Sequence, residues 1–174
     1  PADIMETIAL LAPTGRAAKK MNSSTGIPAY TIHRYLKWYK DSNEFVYNEF
    51  NKTHHKLIIV DEVSMIDVDL FNALLNGINS NIKLILVGDT FQLPSVGPGL
   101  VLNELIESDY FNYIPLNQIY RQSDNSYIPF LAKEIKNNDL SEEFLTKKDD
   151  YNFVKVDSSN IKGAVTQITN YSLS

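Results

Sequence analysis

The stretch that decides the fold of this chain is Leu57-Ile58-Ile59-Val60-Asp61-Glu62-Val63-Ser64-Met65-Ile66-Asp67. Its first four residues are branched and apolar, which predicts a strand buried on both faces, as in parallel sheets. Two carboxylates follow where the strand ends, and open α/β sheets bind their ligands beyond the carboxyl ends of the strands. Such a pair is suited to holding Mg²⁺ and activating water beside phosphates. The alternative is that Asp61 and Glu62 only cap the next helix.

The composition is that of an ordinary globular protein, with 44% apolar and 21% charged residues among 174. Apolar runs are too short to span a membrane and no secretion signal is recognisable, so we expect a cytoplasmic protein with no membrane partner. The absence of cysteine excludes disulfides and thiolate metal sites. A net charge of −5 predicts that any nucleic-acid binding depends on a local basic patch.

A second candidate site precedes the central stretch. Residues 8–12 predict a short buried strand, and Pro13-Thr14-Gly15-Arg16 leads from it into a helix. The N-terminus of such a helix offers free backbone N–H groups to an anion, and Thr14 and Arg16 would add side-chain donors. The alternative is a plain strand–helix connection.

Cations and aromatic residues are mixed in the next segment. Residues 31–36 predict a short helix capped by Thr31, in which His33 and Arg34 lie close to Tyr35, Trp38 and Tyr39. This mixture suits stacking and backbone contact with single-stranded nucleic acid, but aromatics at this spacing are also typical of a core or half-buried surface. The alternation over residues 44–50 predicts a small hairpin, and His54 and His55 are interpreted as surface residues.

The rest of the chain continues the alternation of strands and helices. The loop after the third strand is rich in Gly and Pro and carries Asp89 and Gln92. The predicted elements are a helix over 67–78, a buried strand over 82–87, a helix over 100–106, a strand over 113–116, an amphipathic helix over 127–140, a charged connection over 141–150, a strand over 151–156 and a helix from Ile161.

Five blocks of sequence, in this order, resemble the first motor domain of RecD-like superfamily 1 DNA helicases. They are residues 11–18, 31–34, 60–67, 87–99 and 116–122. The resemblance implies an α/β fold, a RecA-like P-loop NTPase parallel sheet with flanking helices. It also implies that residues 1–150 form the first motor domain, with the hairpin near 41–56 as a small insertion. Residues 151–174 would then begin the second motor domain or a connecting segment.

The resemblance also implies roles for individual residues. Asp61 would hold Mg²⁺ and Glu62 would polarise the attacking water. Gln92 and Arg121 would contact the γ-phosphate of ATP. The residues implied on the single-stranded DNA side are Pro13, Thr14, Gly15, Arg16 and His33.

One motif of the family is missing, since the chain contains no Gly-x-x-x-x-Gly-Lys-Ser/Thr. In the family this P-loop precedes the block at 11–18, so we expect a segment truncated at its N-terminus, inactive alone and without tightly bound nucleotide. The family's P-loop strand lies between strands that correspond to 83–87 and 113–116 here. We therefore expect these two strands to pair directly, or the chain to self-associate by recruiting a strand from another copy.

The resemblance implies a parent that is an ATP-dependent 5′–3′ DNA helicase of recombination and repair, with single-stranded DNA and subunits of a helicase–nuclease complex as partners. The alternative is a non-catalytic module that binds single-stranded DNA or a partner protein and has lost its P-loop. A Mg²⁺-dependent nuclease would need more carboxylates than Asp61, Glu62 and Asp89.

Overall fold

The computed structural model describes residues 6–116 and 126–172 and divides the chain into two compact units, Pro1–Ile114 and Pro115–Ser174. The strands of the first unit are β1 (Ile8–Ala12), β2 (Ala29–Thr31), β3 (Trp38–Tyr39), β4 (Glu44–Phe45), β5 (Leu57–Val60) and β6 (Lys83–Leu86). Its helices are α1 (Gly15–Thr25), α2 (Ile32–Tyr35), α3 (Val68–Gly77) and α4 (Val101–Glu107). The second unit contains α5 (Ile128–Asn137), α6 (Ile161–Ser172) and short 3₁₀ turns at Glu142–Leu145 and Ser158–Asn160.

Four strands of the first unit form a parallel sheet in the order β2-β1-β5-β6. In this register Leu11 of β1 lies beside Val60 of β5, and Val60 lies beside Leu86 of β6. Leu11 and Val60 are fully buried, because central strands of a parallel sheet are covered on both faces. The predicted parallel sheet with flanking helices is confirmed.

The two outer strands differ from the prediction. Strand β2 was not predicted, because three residues after a Gly-Ile-Pro link carry no periodicity that could indicate a strand. The strand predicted over 82–87 was expected to be buried, but Ile85 in β6 and Val87 just after it are 40% and 39% exposed. The reason is its position at the edge of the sheet, where its outer side has no partner strand within residues 6–116 and 126–172.

The strand predicted over Tyr113–Leu116 is wrong, and so is its direct pairing with β6. This segment has no strand partner among the described residues, and Tyr113, Ile114 and Leu116 are 59%, 80% and 86% exposed. Its apolar residues suggested a strand, but a strand also requires a neighbour that accepts and donates backbone hydrogen bonds.

The predicted hairpin is present but begins earlier and is shorter than expected. Strands β3 and β4 pair antiparallel, with Trp38 opposite Phe45 and Tyr39 opposite Glu44. The alternating segment after Phe45 contributes no further strand, and a single bridge joins Asn48 to Asn51. Trp38 packs on Phe45 with ring centroids 4.6 Å apart, so the hairpin is closed by an aromatic cross-strand pair.

A buried polar network connects α2 to the segment before β5. The hydroxyl of Tyr35 donates to Thr53 Oγ1 at 2.9 Å and lies 3.0 Å from His55 Nδ1. Burial raises the pKa of Tyr35 and lowers that of His55. The interpretation of the two histidines as surface residues is therefore right for His54, which is exposed, and wrong for the half-buried His55.

In the second unit, the predicted helix over 127–140 ends earlier, at Asn137, because Asn138 takes a left-handed conformation with φ 54°. The strand predicted over residues 151–156 is wrong: the segment has no strand pairing, and Phe153 instead packs edge-to-face on Phe144. Asp150 accepts hydrogen bonds from the Ser126 hydroxyl and the Tyr127 N–H, and the first of these holds the pKa of Asp150 below its usual value. The contact between Phe144 and Phe153 joins residues on either side of position 150, and all of these residues belong to one compact unit.

The predicted motor-domain boundary at residue 150 concerns the parent protein and stays a prediction. In the residues that the structure describes, no helix is long and apolar enough to cross a membrane.

Candidate functional site at the carboxyl edge of the sheet

The parallel topology brings the described site residues to the end of the sheet where all four strands finish. We call this end the carboxyl edge, as distinct from the lateral edge formed by β6. The segment after β2 carries His33, the turn after β1 is Pro13–Arg16, β5 is followed by Asp61 and Glu62, and β6 is followed by the loop 88–99. Because the strand order is β2-β1-β5-β6, the residues predicted to contact DNA follow one pair of neighbouring strands. Of the residues predicted to contact ATP, Asp61, Glu62 and Gln92 follow the other pair.

Asp61 and Glu62 are both half-buried and are fixed through their backbone. The Asp61 N–H donates to the carbonyl of Leu11 at 2.9 Å, and the Glu62 N–H donates to Asp61 Oδ1 at 2.9 Å. Glu62 has φ 56° and ψ 41°, a left-handed conformation that costs an L-residue roughly 1–2 kcal/mol. Strain of this kind persists only where the surrounding structure enforces it, and it clusters at functional sites.

The alternative interpretation, in which the two carboxylates only cap a helix, is wrong. Glu62 precedes the 3₁₀ turn Val63–Met65 and makes no side-chain capping bond there. Helix α3 is capped instead by Asp67, whose Oδ1 accepts from the Leu70 N–H at 2.8 Å. Asp61 and Glu62 are therefore not needed to cap the N-terminus of α3.

The loop 88–99 is docked tightly against the segment that follows β5. The Val63 N–H donates to the Val87 carbonyl, and the Val68 N–H donates to the Pro98 carbonyl, each at 3.0 Å. A Cβ at Gly97 would overlap the Asp67 side chain, meeting its Cβ at 2.8 Å. Glycine is required here because any side chain would push the loop away from α3.

Gln92 belongs to the same docked loop. Its N–H donates to the Asp89 carbonyl at 3.1 Å, while its side chain is exposed. It lines a cavity of about 150 Å³ together with Ser64, Thr90 and Asn103. No role for Ser64 could be predicted from the sequence, because only its buried Oγ and its position in this cavity distinguish it from other serines.

The DNA-side residues are organised by caps and aromatic contacts. Thr14 accepts from the Ala17 N–H at 3.2 Å and caps α1, and Gly15 and Arg16 in the first turn of this helix are exposed. His33 is exposed and packs against Trp38 and Phe45, with centroid distances of 6.1 and 5.7 Å. Arg16 and His33 therefore both face solvent, and His33 is supported by contact with two aromatic rings.

The remaining predicted site residue, Arg121, lies outside the described residues, as does most of the block at 116–122. Its role at the γ-phosphate stays a prediction.

The residues present fit a magnesium ion that is held mainly by phosphates and water. Among the described residues, Asp61 Oδ2 accepts no hydrogen bond. No group of three or more His, Cys, Asp or Glu side chains able to hold a metal was found there. Mg²⁺ in nucleotide sites retains several waters and uses one or two carboxylates plus substrate phosphates, so one carboxylate is sufficient. A dedicated multi-carboxylate nuclease centre is not present in that part of the chain.

Comparison with known proteins agrees with this arrangement. Residues 2–159 match the protein family described as AAA domain. The ATP-dependent RecD2 DNA helicase of Deinococcus radiodurans is 39% identical over 126 residues, which cover 70% of this chain and 17% of that protein. The RecBCD enzyme subunit RecD of Mycolicibacterium smegmatis is 37% identical over 117 residues, covering 58% of this chain and 21% of the relative. The chain thus spans about a fifth of the length of these curated relatives.

Solved structures agree on the fold. The Pif1 helicase from Bacteroides, in complex with ADP-AlF3 and single-stranded DNA, superposes with a TM-score of 0.50 at 19% identity, covering 97% of this chain and 47% of that one. Parallel strands, flanking helices and a carboxylate-bearing carboxyl edge define an α/β P-loop NTPase fold. The chain belongs to the AAA domain family, with RecD-like superfamily 1 helicases as its relatives.

Proposed function

We propose that this chain is the part of an ATP-driven DNA helicase that couples nucleotide hydrolysis to movement on single-stranded DNA. It supplies the carboxylates of the nucleotide site and part of the surface that contacts single-stranded DNA. The parent moves 5′ to 3′ in recombination and repair, alone or with the subunits of a helicase–nuclease complex. The 174 residues by themselves are inactive, because the glycine-rich phosphate loop is missing from their sequence.

The observation that carries this proposal is the convergence of Asp61, Glu62 and the Gln92 loop at the carboxyl ends of two neighbouring strands. Relatives 39% and 37% identical to the chain, which are named as an ATP-dependent helicase and a RecBCD subunit, support it. The strained backbone of Glu62 supports it further, since a capping residue would not require that conformation.

Each residue of the nucleotide half has a separate task. Asp61 would hold Mg²⁺ through its coordination shell, and the ion would supply positive charge beside the phosphates. Glu62 would orient a water and accept its proton. Gln92 contacts the terminal phosphate from the opposing loop. Arg121 stabilises the charge that is spread over the equatorial oxygens of the γ-phosphate, through a planar fork that lysine does not reproduce.

The DNA half binds the strand mainly through its phosphates. Thr14, Arg16 and the N-terminal N–H groups of α1 face the backbone of the strand, and His33 contacts it from the neighbouring segment. Such contacts carry no sequence preference and weaken with salt.

The test of this function is Glu62→Gln in the full-length protein. General-base catalysis contributes on the order of 10²–10⁴-fold, so DNA-stimulated ATP hydrolysis should fall by about that factor. Binding of a fluorescent ATP analogue should remain within a few-fold of wild type, because the amide keeps the size of the side chain. Steady-state turnover and equilibrium binding measure the two quantities.

Glu49→Gln is the matched control, since Glu49 is an exposed glutamate beyond the hairpin strands and should not affect turnover. Wild-type turnover by Glu62→Gln would remove the assignment of Glu62. A full-length protein that binds single-stranded DNA but never hydrolyses ATP would instead support the non-catalytic binding module.

A further inference from the structure

One buried polar atom in the first unit has no assigned partner. The Oγ of Ser64 is shielded from solvent and makes no hydrogen bond to any described residue. A buried hydroxyl without a partner lowers stability, and such groups in folded proteins are few. Ser64 lies two residues after Glu62, in the 3₁₀ turn Val63–Met65.

The surroundings of this hydroxyl indicate what it could bind. Ser64 lines the cavity of about 150 Å³ that also borders Gln92 and Thr90, while much of the remaining wall is apolar, from Pro94, Leu100 and Leu102. The cavity has room for a side-chain amide or several waters. Of the polar side chains at its wall, Gln92 has the longest, and this side chain is exposed.

The turn that carries Ser64 and the loop that carries Gln92 are held next to each other by backbone contacts. The Val63 N–H bonds to the Val87 carbonyl at 3.0 Å, and a Cβ at Gly88 would lie 3.2 Å from the Ser64 nitrogen. The backbone of Gln92 is in turn bonded to Asp89. The side chain of Gln92, in contrast, is exposed to solvent.

We propose that Ser64 is a positioning residue, whose hydroxyl donates a hydrogen bond to the side-chain oxygen of Gln92 when that side chain enters the cavity. The bond links the turn after Glu62 to the loop that contacts the terminal phosphate. It holds Gln92 in the orientation required for hydrolysis. This inference rests on the proposed function and adds to it a residue that touches neither nucleotide nor DNA.

Ser64→Ala in the full-length protein separates this role from a structural one. A neutral hydrogen bond contributes enough free energy for a change of about tenfold, so kcat for ATP should fall on the order of tenfold with KM within about twofold. Thermal stability should stay equal or rise, because the variant removes an unpartnered buried hydroxyl. A residue that only supports the fold would show unchanged kcat, which would overturn the proposal.

Two further variants sharpen the test. Ser64→Thr keeps the hydroxyl, and the cavity accommodates its methyl group, so it should retain most of kcat. Ser108→Ala is the matched control, because the Ser108 hydroxyl is half-buried in the same unit but already donates to the Leu105 carbonyl at 2.8 Å. It should lower stability slightly and leave kcat unchanged.

A double-mutant cycle identifies the partner. If Ser64 acts through Gln92, the losses in kcat from Ser64→Ala and Gln92→Ala should not multiply in the double variant. Multiplicative losses would overturn the assignment of Gln92 as the partner. Glu62→Gln is assayed in parallel: its normal turnover would refute the proposed function, whereas its inactivity together with a fully active Ser64→Ala would refute only the role of Ser64.

Discussion

Single residues on the two halves of the carboxyl edge are held in different ways. Asp61 and Glu62 are half-buried and constrained by backbone hydrogen bonds to β1 and to each other. Arg16 and His33 are exposed on a capped helix and an aromatic support. Substitutions in the DNA half should therefore change binding without changing stability, because an exposed side chain contributes little packing.

Arg16→Ala tests the DNA half at this scale. One phosphate contact to a single strand contributes about 0.7 to the dependence of log K on log salt. The variant should lower that slope by about 0.7 and create no base preference. Fluorescence anisotropy with homopolymer strands over a salt series measures both. Lys83→Ala removes a cation from the opposite, amino end of β6 and should leave the slope unchanged. An unaltered slope in Arg16→Ala would mean that Arg16 makes no phosphate contact.

The position of Asp61 and Glu62 directly after a buried strand was predictable, because an apolar run that ends in two carboxylates is a local pattern. The left-handed backbone of Glu62 was not, since the bond from Val63 to Val87 that holds the turn joins residues 24 positions apart. The same holds for Ser64, because the cavity that borders its unpartnered Oγ is lined by residues between positions 90 and 103. A single sequence shows which residue types are present. It does not show which polar atoms lack a hydrogen-bond partner, because that depends on residues far away in the chain.

At the scale of elements, the contact of loop 88–99 with the N-terminus of α3 keeps the two nucleotide-side segments together. Asp67 both caps α3 and lies against Gly97, and Pro98 accepts from the Val68 N–H. The helix and the loop therefore cannot shift independently. The sequence predicted the loop and the helix separately, but no local pattern indicated that they interlock.

Gly97→Ala should break this interlock. The new methyl group overlaps the Asp67 side chain, which must leave its capping position, so overpacking and the lost cap together should cost about 1–3 kcal/mol. Urea denaturation of the chain measures the loss. Gly15→Ala is the control, because nothing lies within 4 Å of a Cβ there and stability should hardly change. Equal stability of both variants would show that the loop is not docked in solution.

At the scale of the whole molecule, the sheet of the first unit ends in an open strand. The N–H groups of Lys83 and Val87 donate to the carbonyls of Lys56 and Val60 at 2.8 Å each. By the two-residue period of a strand, the backbone groups of Leu84 and Leu86 then point to the outer side, where the described residues provide no partner strand. We expected unpaired backbone groups beside this strand because the sequence contains no P-loop motif. The sequence could not show that residues 113–116 fail to close it.

Such an edge is a template for pairing with another chain, so the 174-residue chain should self-associate through β6. Sedimentation velocity over a concentration series should show a monomer–dimer equilibrium. Ile85→Lys should shift it to monomer, because a second lysine beside Lys83 places like charges along the paired edge. Leu75→Lys is the matched control: Leu75 is 44% exposed, close to the 40% of Ile85, but belongs to helix α3 and not to strand β6. A chain that stays monomeric at all concentrations, or an equal effect of both lysines, would contradict pairing through β6.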